Sequence, residues 1–107
     1  MKTETKTQHH SNETKMYETP YVNDQIHGLA IGWYDNGNKQ YEIPYVNGKV
    51  HGLEIGWYEN GNRKYEILFI NNKRHGLRIW WYENGNKSHE TPFKNSIRHG
   101  AKIRFKY

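Results

Sequence analysis

Trp57-Tyr58-Glu59-Asn60-Gly61-Asn62 is written three times in this chain, with Trp33-Tyr34-Asp35-Asn36-Gly37-Asn38 before it and Trp81-Tyr82-Glu83-Asn84-Gly85-Asn86 after it. Each copy starts 24 positions from the last. The residues between the copies match as well. His-Gly returns at His27-Gly28, His51-Gly52, His75-Gly76 and His99-Gly100, and a glutamate at Glu18, Glu42, Glu66 and Glu90. An aromatic follows three residues later at Tyr21, Tyr45, Phe69 and Phe93. A period that carries its intervening residues with it belongs to the architecture of the chain.

Within a period the apolar residues alternate. Leu29, Ile31 and Trp33 fall on odd positions, as do Tyr41, Ile43 and Tyr45, which is the spacing of half-buried strands. Two turn signals punctuate each unit. One is Asp/Glu-Asn-Gly-Asn; the other is Asn23-Asp24, Asn47-Gly48, Asn71-Asn72 and Asn95-Ser96. Asn, Asp and Gly tolerate the positive φ that tight hairpins need. No stretch has a helical period of useful length.

The first turn reads as a three-residue loop, type I over Asp35-Asn36 with Gly37 left-handed, so Asn36, Gly37, Asn60, Gly61, Asn84 and Gly85 are the structural turn residues. That loop pairs Ile31 with Tyr41 and Leu29 with Ile43, and gathers Leu29, Ile31, Trp33, Tyr41, Ile43, Tyr45, Leu53, Ile55 and Trp57 on one face. The second turn is argued the same way, with the last hairpin expected to differ because Ser96 is a poor left-handed residue. Pro20, Pro44 and Pro92 lack a ladder donor and mark bulges or unpaired edges. The expected fold is all-β: an antiparallel hairpin meander of about eight strands in one elongated, coiled sheet.

The phrases Trp-Tyr-Glu-Asn-Gly and Asn-Gly-Lys-Val-His-Gly resemble the variant MORN repeat, the short form found in bacterial proteins of the YwqK-like antitoxin family. The resemblance runs from about Met16 to Tyr107. It implies a repetitive β-hairpin sheet and a non-enzymatic binding role, with toxin neutralisation as the function given to many members. Departures concentrate in the third unit. Leu68 stands for Pro, Trp80 for the Gly at Gly32 and Gly56, Thr91 for Ile, and His89 for Tyr41 and Tyr65.

Residues 1–14 are polar and without alternation, and read as a flexible tail ahead of one β-repeat domain over 15–107. His9 and His10 align with Trp33 and Tyr34, so the domain opens on half a unit whose turn, Asn12-Glu13, has decayed. The chain has 107 residues and 34% hydrophobic content but 15% aromatics, so burial leans on Trp, Tyr and Phe. It has no cysteine, which excludes disulfides, thiolate metal sites and a Cys nucleophile. The first residues lack the apolar run of a secretory signal, and a cytoplasmic location is expected.

Charge is uneven. Residues 1–72 hold seven Lys/Arg and nine Asp/Glu, a net −2, while residues 73–107 hold nine against two, a net +7. That positive end suits an anionic partner.

The repeated His and Glu invite catalytic or metal readings, which spacing weakens. Equivalent residues lie two strands apart, roughly 10 Å, and ligands of one zinc must each approach to about 2.1 Å. Identical copies also lack the tuned asymmetry that catalysis needs. No enzyme activity, cofactor, metal or small-molecule substrate is expected. The leading expectation is a protein-binding inhibitor or antitoxin-like module using Trp33, Trp57, Arg74, Arg78, Trp80, Trp81, Arg98, Lys102 and Arg104. The alternatives are a binder of nucleic acid or an anionic membrane surface through the basic C-terminal third, and a structural array that self-associates through its edge strands.

Overall fold

Alternating sequence produces a sheet and nothing else. The computed structural model describes residues 1–12, 14–98 and 100–105, and no helix occurs among them. The first unit and a half comprises β1 (Thr3–His9), β2 (Lys15–Val22), β3 (Gln25–Ile26), β4 (Gly28–Trp33) and β5 (Lys39–Val46). Next come β6 (Lys49–Val50), β7 (Gly52–Trp57) and β8 (Arg63–Ile70). The last are β9 (Lys73–Trp81), β10 (Lys87–Lys94), β11 (Ile97–Arg98) and β12 (Ile103–Arg104). They form one open antiparallel meander in which β3 and β4, β6 and β7, and β11 and β12 each share a lane. At about 4.8 Å per lane such a ribbon is long in the pairing direction. The molecule measures 44 × 33 × 12 Å.

One lane more than expected comes from the N-terminus. Residues 3–9, read in sequence as part of a tail, pair with β2 from Thr3–Val22 to His9–Lys15. His10 Nε2 donates to Trp33 O at 2.8 Å, and Asn12 Nδ2 to Asp35 O at 2.8 Å. Glu13 of the decayed turn lies outside the described residues, as do His99, Lys106 and Tyr107.

The first turn has the expected form. Gly37 N donates to Tyr34 O at 3.0 Å, Tyr34 N to Asn38 O at 2.9 Å, and Gly37 has φ +89°. Asn36 Oδ1 accepts the Asn38 amide at 2.9 Å, closing the loop from inside. The strands beyond it do not follow the expected register. Ile31 faces Glu42, Gly32 faces Tyr41, and Leu29 faces Pro44. The cause is a second bulge. Trp33 pairs with Lys39 and Gly32 with Tyr41, so Gln40 is an extra residue that shifts the register by one. Lys64 and Ser88 stand in the same place in the following units.

The bulge divides the apolar residues between two faces. The tryptophan face carries Trp33, Trp57 and Trp81, an alternating row of Ile31, Glu42, Ile55, Glu66, Ile79 and Glu90, and the half-exposed Leu29, Leu53 and Leu77. The tyrosine face carries Tyr41, Ile43 and Tyr45 opposite the small residues Gly32, Ala30 and Gly28. The expected single apolar face is therefore corrected: small residues on one strand admit large rings from the next. A Cβ at Gly32 would lie 2.1 Å from Tyr41 Cε2, and one at Gly56 2.6 Å from Tyr65 Cε2. Ala30, Gly32, Gly56, Ile67, Thr91 and Phe93, all buried, belong to this face. The core is thus a layer of rings laid over one side of a single sheet.

The second turn differs from its expected form as well. Asn47 and Gly48 have φ +49° and +81°, and Val46 pairs with Lys49, which makes a two-residue type I′ loop. Asn95 and Ser96 do the same at +51° and +66°, so the last hairpin matches the others. Ser96 Oγ accepts the Arg74 amide at 2.9 Å, a bond from the preceding turn that supports the unfavourable backbone.

Proline decides strand continuity. Pro44 O accepts the His51 amide at 2.9 Å, and the ladder breaks there between β6 and β7. Where Leu68 replaces proline it pairs with His75, and β9 runs unbroken.

Candidate binding face

The two faces handle charge differently. On the tryptophan face each unit has a basic residue three positions before its glutamate, and the bulge brings both to one side. Lys15 pairs with Glu18, Lys39 with Glu42, Arg63 with Glu66 at 2.7 Å and Lys87 with Glu90 at 2.8 Å. Lys15 and Lys39 also lie 5.8 and 5.9 Å from the Trp33 and Trp57 ring centroids. These partly exposed pairs each contribute little to stability. They do neutralise the face.

On the tyrosine face of the third unit the cations are unpaired. Arg74, Gly76, Arg78 and Trp80 alternate along β9, and His89, Thr91 and Phe93 oppose them from β10. Arg98 faces Phe93 from β11, and Arg104 faces His89 from β12. Lys102 is close enough to act on His89 electrostatically. None of these five basic residues takes part in an ion pair among the described residues. Arg74 and Arg78 lie 4.3 and 5.0 Å from the Phe93 ring centroid. The Phe93 ring sits opposite Gly76, flanked by both arginines.

Burial, then the neighbouring Arg74, lowers the pKa of Arg78. Burial, followed by Lys102, Arg78 and Arg104, holds the His89 imidazole below its ordinary value. Burial and the 2.7 Å hydrogen bond to Glu54 push the Tyr65 hydroxyl up. Trp80 packs between Tyr65, centroids 5.0 Å apart and tilted, and His89, 6.0 Å apart and stacked.

Of the residues singled out from sequence, Arg74, Arg78, Trp80, Arg98, Lys102 and Arg104 come together in this unit. Trp33, Trp57 and Trp81 lie on the opposite face, so one partner surface cannot use both sets. Thr91, noted in sequence as a departure from Ile, and Phe93, one of the repeated aromatics, belong to the cluster but were not among the binding candidates. The basic residue three positions before each glutamate was the available signal, because such a pair can meet along a strand only across a bulge.

The His-Gly pairs have a structural use. His27 Nδ1 accepts the Asn47 amide and His51 Nδ1 the Asn71 amide, both at 3.2 Å, linking one unit to the next. The tight turns are linked likewise. Tyr34 Oη donates to Trp57 O and Tyr58 Oη to Trp81 O, each at 2.6 Å, while Asn36 and Asn38 amides both reach Glu59 O.

The MORN repeat variant matches residues 26–47, 50–71 and 74–95. The chain belongs to this family. The matched segments follow the observed units, each running from one type I′ turn to the next and enclosing the bulged hairpin. A search of curated proteins returned no match. MORN repeats generally serve as protein- or membrane-binding modules and are typically non-catalytic.

Proposed function

We propose that the chain is an inhibitor or antitoxin-like module that captures an acidic partner protein on the tyrosine face of its third MORN unit. The observation that carries this reading is the contrast between faces. Cations on one side are paired with glutamates, whereas Arg74, Arg78, Arg98, Lys102 and Arg104 have no such partner among the described residues and surround an aromatic group. Unpaired arginines beside rings are the residue types that dominate protein interfaces.

Capture of partners from the native host by the full chain, compared with Arg78→Ala, Trp80→Ala and Trp57→Ala, tests the proposal. The first two variants should lose the partner while Trp57→Ala keeps it. Retention by Arg78→Ala and Trp80→Ala would overturn this surface. Capture of nucleic acid or anionic vesicles in place of protein, with steep salt dependence, would overturn the class of partner.

A further inference from the structure

The third unit departs from its neighbours at five positions of one face, and the departures converge. Arg74 occupies the place of Ile26 and Val50. Arg78 occupies the place of Ala30 and Glu54, Thr91 that of Ile43 and Ile67, Trp80 that of Gly32 and Gly56, and His89 that of Tyr41 and Tyr65. Arg78 and Thr91 are paired across β9 and β10. Arg78 Nε and Thr91 Oγ1 are nevertheless shut off from solvent and have no hydrogen-bond partner among the described residues. Thr91 is only 3% exposed. A buried hydroxyl where the other units place isoleucine is a loss to the fold unless something outside the fold uses it. Arg74 and Arg78 meanwhile share the Phe93 ring without any carboxylate between them, an arrangement of like charges that an anion would relieve.

We propose that Arg74, Arg78 and Thr91 form a site for a phosphoryl group carried on a phosphorylated side chain of the partner protein. The proposal rests on the docking surface described above. A carboxylate offers two oxygens in one plane, which a single guanidinium fork fills. A phosphoryl group carries close to two negative charges and three acceptor oxygens arranged tetrahedrally, so it can take both forks and a hydroxyl together. Because Thr91 Oγ1 is shut off from solvent, occupation of the site requires Arg78 to turn its head outward onto the group and so open the hydroxyl to the third oxygen. Arg98, Lys102 and Arg104 add attraction from the neighbouring lanes. No covalent step is involved.

The test uses the full chain and three probes: a phosphoserine peptide, the same peptide with two glutamates supplying the charge, and vesicles containing a phosphoinositide. Saturable binding of the phosphopeptide is expected, about tenfold tighter than the glutamate peptide. Arg78→Gln and Thr91→Val should each remove that preference. Thr91→Val is the informative variant, because it keeps the shape and every charge and should fold at least as well as the parent. Equal affinity for both peptides, an unaltered preference in Thr91→Val, or tighter binding to the vesicles than to the phosphopeptide would overturn the site. Partner capture that survives phosphatase treatment overturns the site and leaves the docking surface standing. Selective phosphopeptide binding without any captured protein does the reverse.

Discussion

At the scale of single residues, the balance between space and polarity is set by small differences. At Gly56 a methyl group does double harm, since its Cβ would meet the Tyr65 ring at 2.6 Å and lifting that ring breaks the bond to Glu54. Gly56→Ala is expected to destabilise the chain by about 1–3 kcal/mol in urea denaturation. Thr91→Val acts in the opposite sense. Removing a buried, unpartnered hydroxyl while keeping its shape should add roughly 1 kcal/mol, read as a higher urea midpoint. His89 gives a pH signature. Its pKa is lowered in the folded chain by burial and by Lys102, Arg78 and Arg104, so the unfolded chain binds the proton more readily. Its stabilising share is complete above the unfolded value of about 6.5 and is lost as pH falls through it toward the lower folded value. The urea midpoint should therefore drop between pH 7.5 and 5.5, and His89→Tyr, restoring the residue of the other units, should flatten that drop.

At the scale of elements, hydrogen bonds between turns replace the second layer that other β proteins use. Tyr58→Phe deletes the 2.6 Å donation to Trp81 O and should cost about 1 kcal/mol, measurable by thermal unfolding. Much at this level was legible in the sequence. The Asn-Gly spacing gave the three-residue loop, and the even period gave the meander. The register was not legible, for a physical reason. The bulge at Gln40 is marked only by the spacing of Lys39 and Glu42, and counting apolar residues favours a single greasy face when glycines in fact make slots for rings. The positive φ of Ser96 was hidden too, because the bond that supports it comes from Arg74, a residue distant in the chain. For the proposed binding face, clustered charge pointed to the third unit, where Arg74, Arg78, Arg98 and Arg104 lie on one side of the sheet. Which side each tryptophan faces depended on the unseen bulge.

At the scale of the molecule, a single sheet with both ends open is a stack of nearest-neighbour contacts, with stability that accumulates unit by unit. Inserting a second copy of residues 39–62 after Asn62 should give a folded chain with an added hairpin, a higher melting temperature and the same β signature in circular dichroism. Failure of that insertion to fold would mean that the units are less equivalent than their bonding implies. The reason to expect success is the direction of the links. Tyr34, Tyr58 and Tyr82 all donate toward the C-terminus, to Trp57 O, Trp81 O and Phe105 O. Each seam therefore has a giving side and a receiving side, and any two units match. A recombination event that gains or drops 24 codons would leave every hydroxyl facing a carbonyl, so the gene can change length without passing through an unfolded product. The divergent third copy can be carried along such a change intact, with its arginines shifted by a whole unit and still on the same face.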